Sequence, residues 1–104
     1  MQRKAFRFKL NAGQKEEYKK RHDSLWAELE VLLKSAGVQD YSIFFDENDN
    51  TLFGVLSIDN LANLDDLPNH LIMKKWWDYM ADIMEVNPDN SPKSISLEEV
   101  FYLK

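Results

Sequence analysis

The stretch Gln39–Asp59, QDYSIFFDENDNTLFGVLSID, is the clearest architectural statement in the chain. From Gln39 to Asp46, Tyr41, Ile43 and Phe45 point one way and Ser42 and Phe44 the other, the period-2 pattern of a strand. Glu47-Asn48-Asp49-Asn50 is made of turn formers and reads as a hairpin connection. Thr51–Asp59 is then the returning strand, with Phe53 and Val55 on one face and Leu52, Leu56 and Ile58 on the other. Gly54 leaves a gap in mid-strand, where another group is expected to approach the backbone closely.

Working outward, the same grammar continues on both sides. Arg3–Leu10 alternates, with Phe6, Phe8 and Leu10 on one face, and predicts a first strand. Asn11–Gly13 is a turn, and one helix is expected from there to about Ala36, with Gly37 as its terminator. After the hairpin, Asp59–Asn69 reads as a short helical piece and a joint, and His70–Glu85 as a second helix with Ile72, Trp76, Tyr79 and Ile83 in one stripe. Asn87–Pro92, NPDNSP, must be a loop without helix or ladder, since it holds two prolines. Ile95–Leu103 is expected as the last strand.

The order β-α-β-β-α-β predicts an α+β, ferredoxin-like fold: a four-stranded antiparallel sheet with both helices on one face. Those helices cover only one side, yet the strands carry large apolar groups on both: Phe44 beside Phe45, Phe53 beside Leu52, Tyr102 beside Phe101. A sheet with one face in water alternates more cleanly than this. A homodimer with sheet packed on sheet is the expected solution, a dimeric α+β barrel.

Composition bounds the function. A chain of 104 residues is a single domain, and 44% hydrophobic residues suffice for a core. There is no cysteine, so disulfides and thiolate sites are excluded. The N-terminal MQRKAFRFKL has no signal-peptide core, and no apolar run approaches the roughly 20 residues of a membrane span. A cytoplasmic protein is expected. With a net charge of −5 and scattered basic residues, nucleic acid and anionic membrane are poor partners. Lys19–Arg21 reads as a solvated helix face.

The chemistry-bearing residues are few. His22 and His70 lie on different elements, without metal-ligand spacing. None of the three glycines forms a phosphate-binding loop. A serine nucleophile with His22 as base has no signalled orienting carboxylate or oxyanion hole. What remains is proton transfer and ring stacking. Tyr18 and His22 are one turn apart and share a helical stripe with Leu25, Leu29 and Leu32. His22 titrates near neutral pH, Tyr18 and Tyr41 offer hydroxyls, and Trp76 and Trp77 offer indole faces, a combination suited to a carbohydrate. Taken one at a time, Trp76 and Tyr41 are ordinary core residues. Trp77, about 100° around the helix from Trp76, does not face the same centre. Trp26 is expected to back a pocket wall or a dimer seam.

Several segments together carry a resemblance: RKAF at Arg3–Phe6, EEYKKRH at Glu16–His22, LWAELE at Leu25–Glu30, DYSIFFD at Asp40–Asp46, WWDYM at Trp76–Met80, NPDNSP at Asn87–Pro92 and EVFYL at Glu99–Leu103. In this order, through nearly the whole chain, they resemble the L-rhamnose mutarotase family. The resemblance implies a cofactor-free dimeric α+β barrel enzyme that interconverts the α and β anomers of L-rhamnose or a related aldose. It implies His22 as proton donor and Tyr18, Tyr41, Trp76 and Trp77 as substrate-binding residues. Where the family often has proline after the tryptophan of the first helix, this chain has Ala27, which is expected only to ease that helix. The stretch 60–72 matches poorly, and no role passes to His70. A cofactor-free oxygenase or haem-binding protein on the same barrel, and a non-catalytic sugar-binding module, are the alternative readings.

Overall fold

The computed structural model describes residues Met1–Lys104, and its order is β1 (Gln2–Lys9), α1 (Lys15–Asp23), α2 (Ala27–Ser35), β2 (Val38–Asp46), β3 (Thr51–Ile58), a 3-10 stretch (Leu61–Asn69), α3 (Leu71–Met80) and β4 (Ile95–Leu97). The strands form one antiparallel sheet in the order β2-β3-β1-β4. This is the expected ferredoxin-like sheet, with the split that lets two helices lie on one face.

Register explains the faces. Phe6 stands opposite Gly54, Phe8 opposite Leu52, and on the next strand Ile43 meets Gly54 and Phe45 meets Leu52. These residues face the helices. Phe8, Leu10 and Leu52 join Tyr18, Leu29, Trp76, Met80, Ile83 and Met84 in one buried cluster. The gap at Gly54 is filled as expected: a Cβ there would lie 2.6 Å from Cζ of Phe6, whose ring rests across the glycine. Gly37, at φ 96°, ends α2 through its N–H to the Lys34 carbonyl, as the sequence predicts.

Three expectations need correction. The first helix is two. Ser24 and Leu25 close a tight turn onto Lys20 and His22, and Trp26 is extended at φ −62° and ψ 132°. No glycine or proline marks this break; what holds it is the packing of Trp26, which stacks on Tyr79. Ala27 is consequently the first residue of a new helix, a position that accepts proline, so it does not ease a continuing one. The second helix stops at Met80, because Met84 pairs with Leu10 and Glu85 donates to the Lys9 carbonyl, extending the sheet. The last strand is only three residues long. The ladder sets Ile95 against Arg7 and Leu97 against Ala5 and ends there, with Gln2–Lys4 still free of β4, and Arg3 meets Glu99 through side chains instead. Val100–Leu103 are exposed. The Asn87–Pro92 segment is a loop, closed by a single bridge between Val86 and Pro92 where none was expected.

Candidate active site

Between the helices and the sheet runs an open cleft of about 1840 Å³. That exceeds the roughly 300–1,000 Å³ of an ordinary ligand pocket, so the site must be located by where polar atoms converge within it. All five side chains singled out in the sequence line it: Tyr18 and His22 from α1, Tyr41 from β2, and Trp76 and Trp77 from α3.

Their arrangement is close. The Tyr18 and His22 rings stack at 4.2 Å, as helix neighbours one turn apart do. Trp76, from α3, meets the imidazole edge-on at 5.3 Å. Trp26 does not line the cleft. It backs Trp76 edge-on at 5.1 Å and stacks on Tyr79 at 5.4 Å, which is the supporting place expected for it. Trp77 is half-buried and flanks the core rather than sharing its centre. On the floor, Tyr41 meets the edge of Phe6 at 6.0 Å.

The histidine is oriented by its own helix. Its Nδ1 lies 3.0 Å from the Tyr18 carbonyl oxygen, which can only accept. Nδ1 therefore carries the proton, and Nε2 is left with a lone pair in the neutral ring. Burial lowers the His22 pKa, against smaller opposing effects of the Tyr18 carbonyl and of Asp23. At neutral pH the resting imidazole is thus a base at Nε2. Burial, with a smaller push from Tyr41, raises the Tyr18 phenol; burial also raises that of Tyr41, less firmly, because 38% of Tyr41 still meets solvent through the cleft. Both phenols stay protonated and serve as hydrogen-bonding hydroxyls. Apart from His22 Nδ1, none of the polar side-chain atoms of these five residues bonds within the protein, and those of Tyr18, His22, Trp76 and Trp77 are not sealed from solvent. No three metal-ligating side chains converge.

With this geometry in place, comparison with known proteins is decisive. The L-rhamnose mutarotase family model matches residues 3–103. The chain belongs to that family. It is 61% identical over 104 residues to an L-rhamnose mutarotase of Formosa agariphila, with both chains fully covered. The crystal structure of an L-rhamnose mutarotase from the same organism superposes with a TM-score of 0.94 at 60% identity, again covering both chains completely. A putative antibiotic biosynthesis monooxygenase from Nitrosomonas europaea shares the fold at a TM-score of 0.62 and 13% identity, covering 97% of this chain and all of the other. At that identity only the fold is common. The resemblance read from the sequence motifs is borne out, and with it the carbohydrate-isomerase class.

Sequence reading missed two parts of the site's frame. Phe6 is its floor, and only the gap at Gly54 hinted that something would lie there. Arg21 was assigned to a solvated face with Lys19 and Lys20, but its side chain is only 11% exposed. The signal available was Glu17, four residues earlier and correctly spaced to pair with it. His70, given no role, pairs with Asp66 at 3.1 Å on the exposed surface.

Proposed function

We propose that this protein interconverts the α and β anomers of L-rhamnose by ring opening and closure, with His22 as the group that moves the proton. The observation that carries this reading is the set of unspent polar atoms facing one aromatic cleft. His22 Nε2 and the Tyr18 and Tyr41 hydroxyls have no protein partner, and the Trp76 and Trp77 indoles line the same cleft. Such a set matches a pyranose, whose C–H face packs on rings while its hydroxyls find polar partners.

The tautomer sets the order of events. His22 Nε2 first takes the proton from the anomeric hydroxyl. The O1 lone pair then forms the C1=O bond as the bond from C1 to the ring oxygen breaks, and that oxygen receives the proton from Nε2. Rotation about C1–C2 and reclosure, with the proton returning by the same route, gives the other anomer. His22 is thus the acid toward the ring oxygen, charged by having acted as base a moment earlier. One well-placed acid/base group supplies roughly 10²- to 10⁴-fold acceleration, enough for a reaction that already proceeds in water. Tyr18, Tyr41, Trp76 and Trp77 hold the sugar. The test is anomer exchange by saturation-transfer NMR on L-rhamnose, with His22→Asn expected to bind sugar but lose most of the exchange. Wild-type exchange in that variant would remove His22 from the role.

The working form in this reading is a homodimer, packed through the sheet face opposite the helices. That face presents Phe44 at 63% exposure and Ile95 at 54%, with Val55 and Leu97 beside them, and Val100–Leu103 extend the uncovered apolar surface. A second copy of the same face covers it by two-fold symmetry. A cysteine-free chain suits a reducing, cytoplasmic setting, and no helix is long and apolar enough to cross a membrane.

A further inference from the structure

Helix α1 carries His22 and helix α3 carries Trp76, and the two belong to separate stretches of chain that must be held in register across the cleft. The residue next to His22 makes that connection. Arg21 Nε donates to Glu17 Oε2 at 2.8 Å on its own helix. Its Nη1 donates to the Tyr79 carbonyl at 2.7 Å and to Asp82 Oδ1 at 2.8 Å, and its Nη2 to Asp82 Oδ2 at 3.2 Å. The guanidinium also lies over the Tyr79 ring, 4.5 Å from its centre. Tyr79 stacks on Trp26, and Trp26 stands edge-on behind Trp76.

We propose that Arg21 is a positioning residue for this site: by clamping α1 to the end of α3, it sets the separation and angle between His22 and Trp76. The inference rests on the mutarotase reading for its kinetic consequence, not for its geometry. Three features separate this clamp from an ordinary surface ion pair. The side chain is nearly covered, with 11% exposed. The contact with Asp82 uses both nitrogens of a planar fork, which lysine does not offer. The acceptor set spans two elements and includes a backbone carbonyl at the end of α3, so it constrains that helix end itself. The hydrogen bonds from Arg21 lower the Asp82 carboxyl from its ordinary value, consistent with a standing charge pair. Adjacent positions on a helix differ by about 100°, so anchoring Arg21 on Tyr79 and Asp82 fixes the direction in which His22 leaves the same helix.

The test uses Arg21→Lys and Asp82→Asn, with Glu30→Gln, from an exposed pair on α2, as control. Asp82 is 66% exposed in its side chain, so its variant is expected to fold even where an Arg21 variant does not. Two quantities are read well below the melting temperature: the His22 ring-proton resonances, which sense the Trp76 ring current, and the kinetics of anomer exchange. The proposal predicts displaced His22 resonances in both variants and a fall in kcat of about 10- to 100-fold, because a misplacement near 1 Å disrupts proton transfer far more than sugar binding. KM should change by no more than about threefold, and the control should match wild type. Lysine should fail to rescue, since it keeps the charge but not the fork. Resonances that stay in place, or that move while kcat is intact, or full rescue by lysine, overturn the proposal. If wild type itself shows no exchange, the functional reading fails, and the resonances alone decide whether Arg21 positions His22.

Discussion

Replacing Gly54 by alanine isolates the contact on which the cleft floor depends. In most strands this change helps, because glycine weakens a strand interior by roughly 0.5–1 kcal/mol relative to alanine. Here the new Cβ would stand 2.6 and 2.7 Å from two ring carbons of Phe6, closer than carbon atoms pack. The ring must move off the strand, towards the cleft and the Tyr41 edge. Overpacking of this kind typically costs about 1–3 kcal/mol. Net of the propensity gain, Gly54→Ala should destabilise by about 0.5–2 kcal/mol. With a urea slope of about 1–3 kcal/mol per molar, the midpoint falls by about 0.2–2 M. The discriminating step is the Phe6→Ala background. There the clash is gone, and Gly54→Ala should change sign and stabilise by about 0.5–1 kcal/mol. Urea unfolding of the four proteins measures the cycle. An equal loss in both backgrounds would refute the claim that Phe6 is what forbids a side chain at 54. Displacing Phe6 also crowds the sugar site, so Gly54→Ala alone should raise KM.

Three other outcomes are expected. In the proposed mechanism the reacting His22 is neutral and its pKa lies below its ordinary value, so kcat/KM should be flat near neutral pH and fall only on an acid limb below about 6.5, as a pH–rate profile will show. Stability follows the same sign: the unfolded chain takes up a proton at His22 before the folded one does, so stability declines as pH drops through that window. At the alkaline end the raised phenols of Tyr18 and Tyr41 make stability fall as pH rises past about 10, and thermal melts across pH should show both limbs. Phe44→Asp, on the exposed outer face, should leave the fold intact and give a monomer in sedimentation velocity, whereas an unchanged sedimentation coefficient would place the dimer seam elsewhere.

The strands and hairpin were legible because period-2 alternation is local, and the faces it assigned to Phe6, Phe8, Leu52 and Leu56 are those the register shows. The break after Asp23 was not legible, since no residue between Ser24 and Trp26 forbids a helix; the stack of Trp26 on Tyr79, distant in sequence, decides it. Ile95–Leu103 has strand composition throughout, yet only Ile95–Leu97 pair with β1, and beyond them the chain is held by the Arg3–Glu99 side-chain pair instead of a ladder. In the site, the helical spacing of Tyr18 and His22 was enough to bring their rings together. Glu17 was the one local sign that Arg21 is held, since its other acceptors lie on Tyr79 and Asp82, which no local pattern links to it.

In the proposed mechanism one imidazole, pinned at Nδ1 and free at Nε2, carries the proton between two oxygens of the sugar. Saturation-transfer NMR on equilibrated L-rhamnose tests it directly, comparing wild type with His22→Asn under identical sugar and protein concentrations. Wild type should give exchange well above the uncatalysed rate and the variant a fall of about 10²-fold or more, with sugar still quenching the Trp76 and Trp77 fluorescence. Exchange at the wild-type rate in His22→Asn would contradict it.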